Sequence, residues 1–322
     1  MAALPGVVCT RRGNLRRMRI AALIATLTAV AAVVPGTAQA DPTTITVGPR
    51  PESITRGWDG KYFVSIQGVP DLGRNDGEIR TVNPATGEVK TFATGLDNPR
   101  GLAFTQNHLV ATDTDKIWLI DKTGTKRLLA SAAQFPHPAE FFNDAAPAPD
   151  GVYVTEMGAR TKMRDPNGFL WPTDSQQALD IPALGRVYKI TLTGRITEVV
   201  SPSRKNLVIN GTAPSRRPGH LLVGEFFYGN VVEANIATGQ RTVIATGFRG
   251  IDGIEQGHDG TIYVSSFDNG AVWKMDRSGE NPKVLLKDVG RSSTADFYLD
   301  ERGGRLLVPD TSHGTVIVVP IR

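Results

Sequence analysis

The chain has 322 residues, of which 36 are Lys or Arg and 32 are Asp or Glu, with one Cys at position 9. Five of the basic residues and none of the acidic ones lie in the first 40 positions, so the remainder carries 31 basic against 32 acidic residues. This balance, without a basic stripe interleaved with aromatic residues, argues against nucleic acid or anionic membranes as partners. No cysteine occurs beyond residue 40, which excludes disulfides, thiolate metal sites and cysteine nucleophiles there.

The first 40 residues have the pattern of a secretory signal peptide. Arginines precede an apolar run from Ile20 to Val34, and residues 38–40 read Ala-Gln-Ala, the small-x-small pattern of a leader-peptidase site. About fifteen apolar residues followed by a helix-breaking proline are too few for a permanent membrane anchor. We therefore expect a secreted, extracellular protein cleaved near Ala40. Residues 10–15 resemble a twin-arginine signal, and Met18 could also begin the signal, so the export route and the true start stay open.

The remaining residues repeat a unit of about 43 residues. Each unit opens with a short turn, and an alternating strand follows an Asp-Gly pair at residues 59–60, 150–151 and 259–260. Alternation with period two marks strands, and Asp-Gly marks hairpins. Four short strands in about 43 residues is the size of one propeller blade.

Aligning the unit openings gives six equivalent positions, spaced by 48, 43, 67, 42 and 43 residues. These positions are Glu52, Arg100, Asn143, Asn210, Asp252 and Ala295. The repeat predicts an all-β, six-bladed β-propeller with four-stranded blades over residues 41–322. The last unit has room for about three strands, so we expect the N-terminal strand at residues 43–47 to close the last blade. A two-sheet sandwich is the alternative, but it would not predict a turn repeated at this spacing.

The spacing of 67 residues marks an insertion in the third unit. Residues 158–185 are rich in Gly, Pro and polar residues, and loops of this length are usually functional lids or disordered segments. The loop between the second and third strands lies on the same face as the unit openings. We therefore expect an insertion loop over the channel mouth; an idle surface loop is the alternative.

Four of the six unit openings carry oxygen donors. The first strand of each blade lines the channel of a propeller, so Glu52, Asn143, Asn210 and Asp252 are expected to converge on one axis. Two carboxylates and two amide oxygens suit one divalent metal ion, Ca²⁺ before Mg²⁺ or Mn²⁺. Without a cation the carboxylates would repel each other. The alternative is that Asp and Asn before Gly are ordinary turn residues, although a turn does not require the Glu at position 52.

These motifs resemble those of the senescence-marker-protein/gluconolactonase family, also called regucalcin-like. The matching residues are Glu52 in Pro-Glu-Ser-Ile, Asn143 in Phe-Phe-Asn-Asp, Asn210 in Asn-Gly-Thr and Asp252 in Ile-Asp-Gly-Ile. The resemblance covers residues 43–322. It implies a six-bladed propeller in which these four residues hold one divalent metal ion, and it implies hydrolysis of lactones.

Two departures from the family pattern affect the expected substrate. The sugar-lactone hydrolases of the family typically have an Arg that grips the substrate where this chain has Phe141, and Glu-Gly-Pro where it has Pro-Glu-Ser. The candidate substrate residues are Phe141, Arg100, Phe226, Phe267 and His313. The aromatic residues would suit a less polar ligand or pack between blades. His313 is a candidate auxiliary base or a solvated hairpin histidine.

The leading hypothesis is a secreted divalent-metal-dependent hydrolase that opens a lactone or similar cyclic ester, acting as a monomer on a small-molecule substrate. The metal would polarise the carbonyl and activate water, and Asp252 would be the catalytic proton acceptor. The main rival is a non-catalytic secreted binding propeller with a structural or absent metal. A propeller of the strictosidine-synthase type, which uses a Glu and no metal, is a third class that the four oxygen donors disfavour.

Overall fold

The computed structural model describes residues 40–69 and 75–321. Residues 1–39 of the predicted signal peptide lie outside the described residues. The described residues form six four-stranded antiparallel sheets, so the predicted all-β, six-bladed propeller is confirmed. Within these two ranges, no helix is both long and apolar enough to cross a bilayer.

The strands follow one another blade by blade along the chain. Strand β1 (Thr43–Thr46) precedes the first blade. Blade 1 consists of β2 (Pro51–Arg56), β3 (Tyr62–Ile66), β4 (Gly77–Val82) and β5 (Val89–Leu96). Blade 2 consists of β6 (Pro99–Thr105), β7 (His108–Asp113), β8 (Lys116–Ile120) and β9 (Lys126–Ser131). Blade 3 consists of β10 (Phe142–Ala148), β11 (Gly151–Glu156), β12 (Arg186–Thr191) and β13 (Ile196–Val200), with the short helix α1 (Gln176–Asp180) between β11 and β12.

The second half of the ring repeats this order. Blade 4 consists of β14 (Ile209–Pro214), β15 (His220–Glu225), β16 (Val231–Asn235) and β17 (Arg241–Ala245). Blade 5 consists of β18 (Ile251–Gln256), β19 (Ile262–Ser266), β20 (Ala271–Met275) and β21 (Lys283–Leu286). The last three strands are β22 (Tyr298–Asp300), β23 (Arg305–Asp310) and β24 (Thr315–Pro320).

The N-terminal strand closes the ring. Blade 6 has the order β1-β24-β23-β22, so its outermost strand comes from the beginning of the chain. Thr43 lies opposite Val318, and Thr46 lies opposite Thr315. Hydrogen bonds between the first and last strands therefore join the two ends of the folded chain.

The hydrophobic core lies between neighbouring blades. Phe63 and Ile79 of blade 1 pack in one cluster with Leu102 and Leu109 of blade 2, and each is at most 3% exposed. Successive side chains of a strand point to opposite faces, and each blade is covered on both faces. The second strands therefore read as almost continuous apolar runs, as in β3, where all five residues are buried.

The innermost strand is irregular at the same place in five blades. The register shifts follow Pro51, Pro99, Phe142, Ile209 and Ile251. Each shift spans the unit-opening residue and the residue after it. A bulge bends the strand and changes the direction of its side chains, and bulges are common beside active sites. The backbone therefore departs from regular pairing where the predicted metal ligands lie.

Residues 158–185 are tied to blades 4 and 5. Arg204, just before β14, donates from Nη1 to Ile181 O over 2.6 Å. Arg249, just before β18, donates from Nη2 to Trp171 O over 2.7 Å. Arg164 of the insertion forms an ion pair with Asp268 at 3.0 Å. These contacts hold the insertion against the blades that carry Asn210 and Asp252.

Candidate metal centre

The four predicted ligands come from four different blades and line one cavity. Glu52 lies on β2, Asn143 on β10, Asn210 on β14 and Asp252 on β18, and all four border the same cavity of 510 Å³. Each is at most 5% exposed. We refer to these four residues as the channel ring. Residues up to 200 positions apart, from 52 to 252, are brought together because every blade begins at the axis.

Two buried oxygen atoms of the channel ring accept no hydrogen bond in the described part of the chain. Glu52 Oε2 and Asn210 Oδ1 are buried without a hydrogen bond from any described residue. Asn210 Nδ2 donates to Asp252 Oδ1 over 3.0 Å, which orients the amide and leaves its oxygen as an acceptor. A buried acceptor without a partner costs about 1–3 kcal/mol. A cation bound among these oxygens would remove that cost, so the residues present fit a metal ion.

The electrostatics of the ring also fit a cation. Burial raises the pKa of Glu52 well above its ordinary value, and repulsion from Asp252 adds to the rise. Burial likewise raises the pKa of Asp252 to about 8, and repulsion from Asp144 adds to it. Asp252 therefore tends to keep its proton at neutral pH in the protein alone. A divalent cation would favour the charged carboxylates and reverse that tendency.

The donor set indicates which metals are suited. Two carboxylates and two amide oxygens are hard ligands of the kind that Ca²⁺, Mg²⁺ and Mn²⁺ prefer, with water completing the coordination. In the described part of the chain, no group of three or more His, Cys, Asp or Glu residues is placed to hold a metal ion. A site at the channel ring would combine its two carboxylates with the amide oxygens of Asn143 and Asn210.

A second layer is formed by the residues that directly follow the six unit openings. Ser53 Oγ donates to Asp296 Oδ2 over 2.5 Å, linking blades 1 and 6. Gly211 lies so close to blade 5 that a Cβ atom there would come within 2.3 Å of Asp252 O. Real Cβ atoms do not approach a backbone oxygen so closely, so only glycine lets the inner strands of blades 4 and 5 meet. The layer consists of Ser53, Gly101, Asp144, Gly211, Gly253 and Asp296.

Sequence reasoning missed a set of hydroxyl groups that position the ring. Ser65 accepts a hydrogen bond from Ser53 N (2.9 Å) and donates one to Arg100 O in the next blade (2.7 Å). Ser265 makes the same pair of bonds in blade 5. Each hydroxyl satisfies a backbone group that the bulge leaves out of the sheet. The available signal was the recurrence of Ser65, Thr155 and Ser265 at the same place in the alternating strands.

A second missed set consists of acidic residues at the ends of second strands. Glu156 Oε1 accepts a hydrogen bond from Phe141 N over 3.2 Å. Glu225 Oε1 accepts one from Val208 N over 3.2 Å. In each case the bonded N–H lies two residues before a ligand of the channel ring. These carboxylates therefore hold the backbone from which Asn143 and Asn210 project.

The predicted substrate residues divide into two groups. Arg100, Phe141, Phe226 and Phe267 line the same cavity as the channel ring. His313 is not among the described residues that line it. The ring nitrogen Nδ1 of His313 lies 2.8 Å from Asp310 Oδ2, and 61% of its side chain is exposed. The insertion contributes Arg160, Met163 and Arg164 to the cavity wall.

Comparison with known proteins identifies the family. The sequence profile described as "SMP-30/Gluconolactonase/LRE-like region" matches residues 75–288. The chain belongs to this family. No curated protein sequence matches the chain.

Two solved structures with the family fold are similar to the chain as a whole. A gluconolactonase from Xanthomonas campestris is 18% identical with a TM-score of 0.62, over 87% of this chain and 90% of that one. Regucalcin from Agrobacterium tumefaciens, described as a calcium-binding protein, is 19% identical with a TM-score of 0.61, over 87% of this chain and 93% of that one. At these identities the similarity establishes the fold.

The structure shows which side chains surround Phe141, where this chain departs from the family pattern. Phe141 stands where sugar-lactone hydrolases of the gluconolactonase family typically have an arginine. Two guanidinium groups nevertheless lie against its ring, with Arg100 Cζ at 3.8 Å and Arg160 Cζ at 3.9 Å from the ring centroid. Positive charge at this part of the cavity therefore comes from blade 2 and from the insertion.

Proposed function

We propose that the chain is a divalent-metal-dependent hydrolase of a lactone or similar cyclic ester, exported by its signal peptide and acting as a monomer. Membership of the gluconolactonase family supports this reaction class. The observation that carries the proposal is the channel ring, where two carboxylates and two amides are buried and two oxygens, Glu52 Oε2 and Asn210 Oδ1, accept no hydrogen bond from a described residue.

Glu52, Asn143, Asn210 and Asp252 would hold the ion. The chemistry that a bound divalent cation supplies is polarisation of the ester carbonyl and acidification of water. Asp252 Oδ1 already accepts a hydrogen bond from Asn210 Nδ2. Asp252 Oδ2 is therefore the atom that accepts the proton of the attacking water, and the Asn210 amide fixes the direction of the carboxylate. The proton can pass from Oδ2 to the alkoxide that leaves when the cyclic ester opens.

The cavity suits a small cyclic substrate. Its volume of 510 Å³ lies in the range of ligand pockets for small molecules. The apolar part of the cavity wall next to the channel ring includes Met157, Met163, Phe226 and Phe267. Such apolar side chains can contact the carbon skeleton of a ligand while the polar groups orient it.

The proposal is tested with the conservative variant Asp252→Asn. The full chain is stripped with a chelator, reloaded with Ca²⁺, Mg²⁺ or Mn²⁺, and assayed with a panel of five- and six-membered lactones by proton release. Removal of the proton acceptor is expected to lower kcat by about 10²- to 10⁴-fold.

Asp288→Asn is the matched control, because Asp288 is 83% exposed in an outer loop and its loss changes the net charge equally. We expect this control to keep wild-type activity. The absence of lactone turnover by the wild type with every metal, with the fold intact by circular dichroism, would refute the proposal and favour a binding propeller.

A further inference from the structure

The cavity contains arginines that the hydrolysis of a neutral lactone does not require. Two guanidinium groups lie within 4 Å of the centroid of one phenyl ring. At that distance each group lies over the ring of Phe141. Cation–π attraction holds both groups there, and desolvation strengthens it. The N–H donors of two guanidinium groups are thus held beside the Phe141 ring.

The position of Arg100 makes its charge costly unless a ligand uses it. Arg100 occupies the unit-opening position of blade 2, is 6% exposed and borders the same cavity as Glu52 and Asp252. Its one side-chain hydrogen bond to a described residue runs from Nη1 to Asn98 O over 3.2 Å. A buried cation is expensive unless it is paired. The nearby carboxylates of the ring are the ones that the proposed metal ion would engage.

The whole wall is rich in positive charge. Among the described residues, the cavity is lined by four arginines, Arg50, Arg100, Arg160 and Arg164, against two carboxylates. Arg164 is neutralised by Asp268 at 3.0 Å. With the two carboxylates engaged by a divalent cation, the buried positive charge of Arg100 would remain beside the channel ring. A low-dielectric cleft of one sign concentrates ligands of the opposite charge.

We propose that the substrate is an anionic cyclic ester, whose carboxylate or phosphate group accepts hydrogen bonds from Arg100 and Arg160 while its ester lies at the channel ring. Guanidinium groups bind both oxyanions through charge-assisted hydrogen bonds. The apolar wall then contacts the carbon skeleton. The role of the ester rests on the proposed function, whereas the anion site rests on the arginine pair itself.

The test compares substrates that differ in charge at one position. One pair is 5-oxotetrahydrofuran-2-carboxylate and its carboxamide, and the other is 5-(hydroxymethyl)oxolan-2-one and its phosphate ester. We expect the Ca²⁺-loaded wild type to show a kcat/KM for at least one anion roughly tenfold or more above that for its neutral partner. The pair with the larger ratio distinguishes carboxylate from phosphate.

Arginine variants locate the effect. Arg160→Gln is expected to lower the anion-to-neutral ratio roughly tenfold, and Arg160→Lys to restore part of it by keeping the charge. Arg160 lies in the insertion, outside the blade strands, so this change leaves the sheets intact. Arg302→Gln removes the same charge at an exposed hairpin turn. It is the control and is expected to keep the wild-type ratio.

Two failures are distinguishable. Equal turnover of charged and neutral lactones would overturn the anion proposal and leave the hydrolase proposal standing. If no lactone is cleaved, the hydrolase proposal fails, and calorimetry with tetrahydrofuran-2-carboxylate, its carboxamide and tetrahydrofurfuryl phosphate decides the anion site alone. Binding of an anion that Arg160→Gln weakens would support the site, and no preference for either anion over the carboxamide would overturn it.

Discussion

Replacing Glu52 by Gln should stabilise the metal-free protein and remove most of the stabilisation that Ca²⁺ provides. Glu52 is 4% exposed, and its Oε2 atom has no partner among the described residues. Burial first, and then Asp252, raises the pKa of this carboxyl above the ordinary 4.5. The native state therefore binds more protons than the unfolded state, so stability is lost as the pH rises from about 4.5 towards the raised pKa.

The glutamine variant keeps the shape of the side chain and lacks this loss. At pH 9 in a chelator, relief of the buried charge should make Glu52→Gln about 1–3 kcal/mol more stable than the wild type. For the wild type, Ca²⁺ at 100 times its Kd should add about 2.7 kcal/mol. For a domain of this size each kcal/mol corresponds to a Tm change of about 2–4 °C. The variant has lost one carboxylate ligand and should gain little from Ca²⁺.

Thermal unfolding followed by circular dichroism at pH 9, with EGTA and with Ca²⁺, measures both effects. Asp288→Asn serves as the control for charge and should behave as the wild type in both conditions, because Asp288 is exposed. A Glu52→Gln protein that is less stable than the wild type in EGTA and keeps the full Ca²⁺ shift would refute the assignment of Glu52 to the metal site.

Two other measurements examine the ring and its support. Because burial raises the pKa of Asp252 to about 8, the affinity for Ca²⁺ should fall as the pH drops below 8. The fall should be up to about tenfold per pH unit for each proton released. Calorimetry in buffers of different ionisation enthalpy measures this dependence, and an affinity unchanged from pH 6 to 9 would contradict it. Glu225→Gln should lower the free energy of unfolding by about 2–4 kcal/mol, because the Oε2 atom that accepts from Tyr228 N (2.6 Å) and Gly229 N (3.1 Å) is replaced by an amide donor. Denaturant titration checks the second effect against Glu88→Gln, an exposed control that should change stability little.

The architecture could be predicted from the sequence because each blade is a local structure. Four consecutive strands pair with their neighbours, so alternation, Asp-Gly turns and the spacing of the units all lie in short segments of chain. The repeat also identified the unit openings, and the structure places Glu52, Asn143, Asn210 and Asp252 around one cavity. The first strand of each blade lines the propeller axis. This general rule predicted that the unit-opening residues of four blades lie close together.

The surroundings of the ring could not be predicted in this way, because they depend on contacts between blades. The bond from Ser65 to Arg100 O crosses from one blade to the next, and no spacing in the sequence pairs those residues. The exchange of an arginine for Phe141 suggested a less polar ligand, whereas Arg100 and Arg160 both lie against that ring. Arg160 belongs to the insertion, which has no counterpart in the other units.

The sequence by itself therefore determined the ring of blades and the residue that each blade presents to the axis, because a repeated local pattern must fold in a repeated way. Only the tertiary structure decided which oxygens are left without partners and which arginines enter the cavity. Those properties arise where side chains of separate segments compete for the same small volume, and local periodicity carries no information about that competition.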